Sequence, residues 1–149
     1  MTYHILPGYN LISVPFAPFD SLVDSLFPAN LGAYGYDGRA ATFFAAETLF
    51  PGNGYFILFS DSLDIDVCGY YIDSLKTRLY RGWNLFGAQW RNSLFWEIDS
   101  MEFIPAAARP LEIWSYDPIT GIYSRPDTLF VGKGYWILVR DSCILWFGR

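Results

Sequence analysis

Short stretches of aromatic, β-branched and other apolar residues, separated by turn residues, run along the whole chain. This pattern is typical of strands, and a stretch that alternates with polar residues, such as 63–67, is typical of a strand that buries one face. It predicts strands at residues 4–13, 33–36, 42–44, 55–59 and 63–68, and again at 77–87, 113–116, 122–124, 135–139 and 143–147. Pro7-Gly8 and Arg81-Gly82 indicate a turn or bulge inside the first stretch of each set. Helix is predicted only at residues 19–26 and 94–103.

The second set of strands repeats the first. Gly8-Tyr9-Asn10-Leu11 aligns with Gly82-Trp83-Asn84-Leu85, and residues 36–69 align with 116–149 without a gap. The separation between aligned residues is six residues larger in the second alignment than in the first. This difference indicates a six-residue insertion in the second copy, between Leu85 and Trp114. Internal similarity of this kind indicates a duplication.

The predicted fold class is therefore mostly β with a short helix per repeat. Repeat 1 spans residues 1–69 and repeat 2 spans residues 70–149, with residues 70–76 as a linker. Each repeat is small for independent stability. We expect the two tandem, pseudo-symmetric β-repeats to pack on each other as one compact domain.

Composition and charge narrow the classes of partner. The chain has 149 residues with 20% aromatic residues, and its formal net charge is −5. Lys and Arg are scattered, so nucleic-acid binding is not expected. Apolar runs are too short for membrane insertion, and two cysteines fit no zinc spacing, so we expect no metal and no cofactor. No signal peptide is recognisable, which leaves a cytoplasmic protein or a segment of a longer exported one.

Three motifs add a resemblance. They read Gly82-Trp83-Asn84-Leu85, Trp114-Ser115-Tyr116-Asp117 and Gly132-Lys133-Gly134-Tyr135-Trp136-Ile137. Together they resemble a repeat module of secreted and cell-surface proteins of bacteria and archaea, across nearly the full chain. The first copy has Tyr9, Tyr34 and Phe56 at the three Trp positions. The resemblance implies an extracellular or cell-surface location, no catalysis, and a role in attachment, binding or scaffolding.

Candidate catalytic residues are few. His4 is the only histidine and has no adjacent nucleophile motif. Asp61, Asp64 and Asp66 alternate with apolar residues as on the wet face of a strand, which outweighs calcium ligation. The Gly-x-Gly sequences at 52–54 and 132–134 precede strands, so they predict turns and no phosphate site. We expect a protein that is not an enzyme.

Aromatic residues are the candidates for binding. Those at equivalent positions in both copies are interpreted as core or motif packing: Tyr9 and Trp83, Tyr34 and Trp114, Tyr36 and Tyr116, Tyr55 and Tyr135, Phe56 and Trp136. Contacts with a ligand or partner are expected at Trp90, Trp96, Tyr123, Ile144 and Trp146. Ile144 and Trp146 replace Asp64 and Asp66, which makes the last strand apolar on both faces and predicts that something covers it.

The sequence thus favours a non-catalytic module that binds carbohydrate or another surface polymer through exposed aromatics. The alternative is a structural module that docks onto a neighbouring domain or subunit, with a homo-oligomer left open. The predicted fold also carries two local expectations. Asn10 and Asn84 should be buried and satisfy backbone groups, and Cys68 and Cys143 should lie on opposite strand faces and form no disulfide.

Overall fold

The computed structural model describes residues 1–90 and 94–147, and most of them lie in β-strands. The first half contains β1 (Thr2–Ile5), β2 (Gly8–Ser13), β3 (Ala17–Pro18), α1 (Val23–Leu26), β4 (Gly32–Asp37), β5 (Thr42–Ala45), β6 (Gly54–Phe59), β7 (Leu63–Asp66) and β8 (Gly69–Tyr70). The second half contains β9 (Leu75–Leu79), β10 (Gly82–Gly87), β11 (Phe95–Glu97), a 3₁₀ turn (Ile98–Ser100), β12 (Glu102–Ile104), β13 (Pro110–Tyr116), β14 (Tyr123–Ser124), β15 (Thr128–Phe130), β16 (Gly134–Val139) and β17 (Cys143–Phe147).

Each half has an antiparallel four-stranded sheet. Their strand orders are β2-β6-β4-β5 and β10-β16-β13-β14. In the first sheet Gly8 lies opposite Phe59 and Ser13 opposite Gly54. In the second, Gly82 lies opposite Val139 and Gly87 opposite Gly134. Strands at equivalent places in the sequence therefore pair in the same order and the same register.

Smaller sheets complete each half. β1 pairs with β7 in the first half, and β12, β17 and β9 form a three-stranded sheet in the second. β3 pairs with β8, and β11 pairs with β15. β12 lies in the part of the second half that holds the insertion, so β17 is paired on both edges while β7 is paired only with β1 in the described residues.

Strand alternation decides what is buried. Tyr55, Ile57 and Phe59 point into the core from β6, while Phe56 and Leu58 on the opposite face stay half-exposed. β16 has the same pattern. The buried apolar side chains form one cluster from residues 3–67 and another from residues 75–147, so each half has its own core.

The helices differ from the prediction. Residues 19–26 contain a helix only at Val23–Leu26, whose first and last side chains are buried. Residues 94–103 contain β11, the 3₁₀ turn and the start of β12 in place of a helix. The pairing of β11 with β15 accounts for this, because a cross-strand ladder overrides local helix propensity. None of the helices in residues 1–90 and 94–147 could cross a membrane.

The two halves meet through main-chain hydrogen bonds. The Ser13 amide donates to the Gly132 carbonyl and the Gly87 amide donates to the Gly52 carbonyl, each at 3.0 Å. Ser13 aligns with Gly87, and Gly52 aligns with Gly132. The two bonds are therefore reciprocal: the same two repeat positions are joined in each direction.

Glycines allow this close approach. A methyl group on Gly134 would come within 2.9 Å of the Leu11 side chain, and one on Gly54 within 3.3 Å of Leu85. A methyl group on Gly87 would come within 2.0 Å of the Ser13 Cβ. We call this contact zone the seam. Gly52 and Gly132, with φ of 87° and 95°, form the predicted turns beside it.

The local expectations for the asparagines are confirmed. Asn10 and Asn84 are 6% and 5% exposed. Asn84 Nδ2 donates to the Tyr80 and Gly82 carbonyls at 2.8 and 3.2 Å, and its Oδ1 accepts from the Tyr80 amide at 2.9 Å. Asn10 makes the equivalent bonds to Leu6 and Gly8.

The cysteines are also as expected. Both thiols are free, with Cys68 exposed and Cys143 buried. Burial, with a smaller contribution from Asp141, raises the pKa of the Cys143 thiol. The predicted boundary after Gly69 falls within β8, which pairs with β3 of the first half.

Candidate functional site

One face of both four-stranded sheets is covered by aromatic side chains. Residues that alternate with the core positions of β2, β4, β6 and their counterparts point to this face. We call the following ten residues the aromatic strip: Tyr9, Tyr34, Tyr36, Phe43, Phe56, Trp83, Trp114, Tyr116, Tyr123 and Trp136. All ten are half-buried or exposed, with Phe43 the most exposed at 53%.

The strip is continuous across the seam. A row of rings runs from Trp83 through Trp136 and Phe56 to Tyr9, with successive centroids 6.2–6.4 Å apart. Tyr36 of the first half meets Trp136 at 4.9 Å, and Tyr116 of the second half meets Phe56 at 5.4 Å. These edge contacts hold the rings in place, since edge-to-face packing is a favourable aromatic geometry.

Two cavities lie along the strip. The larger, of about 560 Å³, is lined by Tyr36, Phe43, Trp83, Trp114, Tyr123 and Trp136. The smaller, of about 370 Å³, is lined by Tyr9, Tyr34, Phe43, Phe56, Tyr116 and Tyr123. Each residue of one set aligns with a residue of the other, and Phe43 and Tyr123 belong to both. The same arrangement of aromatic lining residues therefore occurs twice, and two residues belong to both cavities.

The second-half cavity has a polar edge. Trp114 Nε1 donates to Glu112 Oε2 at 3.0 Å. Arg125 lies 3.5 Å from Glu112 Oε1 and 5.2 Å from the centre of the Trp114 ring. The first half has Gly32 and Ala45 at the aligned positions. A carboxylate and a guanidinium beside an indole offer both acceptors and donors to a ligand.

A third cavity, of about 400 Å³, shares the lining residue Tyr34 with the first-half cavity. Its lining includes Asp24, Asn30 and Glu47. Asn30 Nδ2 donates to Asp24 Oδ1 at 3.0 Å. Each end of the strip is thus bordered by polar groups, but those groups differ between the two ends.

Tyr116 supplies a hydroxyl inside the strip. Burial, followed by the nearby Tyr123 and Asp117, raises the pKa of Tyr116. A protonated phenol can both donate and accept a hydrogen bond.

The predicted contact residues are dispersed. Tyr123 alone of the five belongs to the aromatic strip, at 43% exposure. Trp90 is 43% exposed and lies outside it. Trp96 packs on Phe147 at 5.0 Å and donates from Nε1 to the Gln89 carbonyl at 2.7 Å, so its ring is part of the second core.

Ile144 and Trp146 lie on the outer face of β17, half-buried between β9 and β12. Lys76 lies opposite Trp146 on β9, and its Nζ is 5.4 Å from the ring centre. Long basic side chains can cover apolar surface with their methylene groups. This part of the chain thus supplies at least part of the predicted cover itself.

The core interpretation of the paired aromatics holds only for Tyr55 and Tyr135, which are 2% and 1% exposed. The other four pairs line the open strip. The sequence carried a signal for this, since Tyr55 and Phe56 are neighbours on one strand and must point to opposite faces. A pair preserved by duplication can therefore belong to a surface as well as to a core.

Other candidate chemistry lies apart from the strip. His4 is exposed, and its Nδ1 is 2.7 Å from Asp64 Oδ1. Among the described residues, no three His, Cys, Asp or Glu side chains come together as metal ligands would.

Comparison of the chain with models of protein families, with curated proteins and with solved structures finds no match.

Proposed function

We propose that this protein is a non-catalytic binding module for carbohydrate, and that the aromatic strip is its binding surface. The single observation that carries the proposal is the strip itself: ten half-buried or exposed aromatic rings that run across both sheets. A contiguous exposed apolar surface is typical of interaction sites. Sugar rings present apolar C–H faces that pack on aromatic faces, and hydroxyls that suit the polar groups at the strip's ends.

The charge of the chain supports the same class of ligand. With a net charge of −5, it would repel nucleic acid and anionic surfaces. The rings that line the two strip cavities form a shallow, open surface along which an extended chain-like ligand can lie. Extracellular or cell-surface location is part of the proposal and rests on the motif resemblance.

We also propose that the molecule is a tandem duplication packed about an approximate two-fold axis. Reciprocal bonds between Ser13 and Gly132 and between Gly87 and Gly52 support it, because a two-fold axis makes residue i meet j and j meet i. On this view the strip was assembled when two copies of one aromatic face became continuous.

The test compares two tryptophans with polysaccharide binding as the readout. Trp114→Ala removes a half-buried ring of the strip, and Trp90→Ala removes an exposed ring outside it. On a glycan array and in polysaccharide pull-down we expect Trp114→Ala to weaken binding at least about tenfold, since a buried aromatic contact contributes about 1.5–3 kcal/mol. Trp90→Ala should bind as the parent does.

Two results would contradict the proposal. One is a parent protein that retains no polysaccharide of any class. The other is the reverse pattern, with binding lost in Trp90→Ala and kept in Trp114→Ala. The rival function, docking onto another subunit or domain, predicts self-association or a protein complex that Trp114→Ala or Trp146→Asp disrupts. Light scattering of the same samples measures it.

A further inference from the structure

The three cavities are neighbours along one line, because adjacent cavities share lining residues. Tyr34 lines both the cavity of Asp24 and Glu47 and the first-half aromatic cavity, and Phe43 and Tyr123 line both aromatic cavities. A ligand that follows this path passes over both sheets and across the seam. A mono- or disaccharide would fill one cavity and leave the others empty, whereas an extended chain would contact all three.

The charges along the path select the kind of chain. No charged side chain lines either aromatic cavity in the described residues. At one end stand the carboxylates of Asp24 and Glu47, and at the other the carboxylate of Glu112 is accompanied by Arg125. The carboxylates at the first end would repel an anionic polymer. At the second end Arg125 would attract it little, because Glu112 neutralises the charge of Arg125. A neutral chain meets acceptors for its hydroxyls at both.

The two ends also differ in a way that can set direction. Stacking on aromatic rings depends little on which way a sugar chain runs, so the central rings alone would accept both orientations. Hydrogen bonds are directional, and the Glu112–Arg125 pair has only Gly32 and Ala45 at the aligned positions of the first half. The two ends of the strip therefore offer different hydrogen-bonding groups, although its aromatic residues repeat in both halves.

We propose, on the basis of the proposed carbohydrate function, that the strip binds a single extended segment of a neutral linear polysaccharide. The segment crosses the seam, and the Glu112–Arg125 edge beside Trp114 fixes the direction of the chain. The Trp-containing half is the stronger subsite, because indole offers a larger apolar face than phenol.

Chain length is the first measurement. Oligosaccharides of increasing length, cut from a neutral polysaccharide that the parent protein retains, are titrated into it by calorimetry. We expect one bound chain per protein and an affinity that rises at least about tenfold from disaccharide to hexasaccharide, as joined subsites become occupied together. Equal affinity for both lengths, or two hexasaccharides per protein, would overturn the single-path binding. Tighter binding of a uronic-acid oligosaccharide of equal length would overturn the selection for neutral chains.

Direction is the second measurement. Two samples of the hexasaccharide are compared, one with a spin label on the reducing end and one with the label on the non-reducing end, and each label broadens nearby indole N–H signals in the NMR spectrum. If the edge fixes direction, the label broadens Trp114 strongly from one chain end and at least about fivefold less from the other. Equal broadening from both ends overturns the directional part of the proposal.

Variants at Glu112 separate positioning from general damage. Glu112→Ala should equalise the broadening from the two ends while retaining most of the affinity, and Glu112→Gln, which keeps an acceptor for Trp114, should restore part of the difference. If Glu112→Ala leaves the difference intact, Glu112 does not set direction. If the parent retains no polysaccharide in the first place, the carbohydrate function itself fails, which is distinguishable from each of these results.

Discussion

Asn84 joins the turn before β10 to that strand with one side chain. Its amide satisfies the N–H and C=O of Tyr80 and the C=O of Gly82, and Asn10 does the same before β2. Buried backbone groups that lose their partners cost free energy because water cannot replace them. The Gly-aromatic-Asn-Leu motif is in this respect a structural device that fixes where the strip's Tyr9 and Trp83 emerge.

Asn84→Ala should therefore destabilise the fold. The expected loss is about 1–3 kcal/mol in the free energy of unfolding, because three backbone groups are left without a partner. Urea denaturation measures it, with Thr42→Ala on the exposed β5 as the control that should change little. A change of under about 0.5 kcal/mol for Asn84→Ala would contradict the structural role.

The asparagines and cysteines could be predicted from sequence because each depends on strand parity or on one residue's chemistry. The position of the strip does not follow from which aromatic residues are repeated in both copies. The face of the strand on which a residue lies decides its burial: Tyr55 is in the core and its neighbour Phe56 is in the strip. The Glu112–Arg125 edge depends on the distance between β13 and β14, which the sequence leaves open.

β17 illustrates how a strand with two apolar faces is accommodated. Its inner residues enter the second core, and its outer residues lie between β9 and β12. In the first half β7 carries Asp64 and Asp66 at the aligned outer positions and lies beside β1 alone in the described residues. The second half has both β12 and apolar residues at these positions, Ile144 and Trp146. The two differences are compatible because β12 lies beside these apolar side chains.

Trp146→Asp, which places the first-half residue in β17, should lower stability by about 1–3 kcal/mol, because apolar contacts with the neighbouring strands are lost. It should leave polysaccharide binding unchanged, since Trp146 is not part of the strip. Ile119→Asp, in the exposed turn after β13, is the matched control. Thermal unfolding and a pull-down measure the two effects. Lost binding with unchanged stability would instead make Trp146 a contact residue, as the sequence first indicated.

Most of the longer strands follow the predicted pattern, whereas β3, β8, β11, β12 and β15 were not predicted. These have two or three residues each, too few for alternation to be read. They exist because a neighbouring strand presents free hydrogen-bonding groups, which is a property of the assembled molecule. The predicted helix at 94–103 failed for the same reason.

The seam joins the two halves of the molecule, and two residues that align with each other in the sequence, Ser13 and Gly87, are in contact there. Ser13 and Gly87 are equivalent residues that face each other, and the seam has room for only one side chain. Ser13 uses that room, donating from Oγ to the Lys133 carbonyl at 2.9 Å.

A swap of these two residues tests the two-fold arrangement. Gly87→Ser should destabilise the protein by about 3 kcal/mol through overpacking. Ser13→Gly combined with Gly87→Ser should recover most of that loss, because the new hydroxyl can reach the Asn53 carbonyl, which aligns with that of Lys133. Chemical denaturation of the single and double variants measures it. A double variant as unstable as Gly87→Ser alone would contradict the approximate symmetry.

The covalent link between β8 and β9 makes association of the two halves at the seam independent of protein concentration. Two separate copies would meet at the seam only as their concentration allowed, whereas copies on one chain dock at a fixed effective concentration that dilution cannot lower. A tethered pair also need not be self-complementary, because each half has one guaranteed partner. The two halves accordingly differ at aligned positions, with Gly32 and Tyr34 in the first and Glu112 and Trp114 in the second.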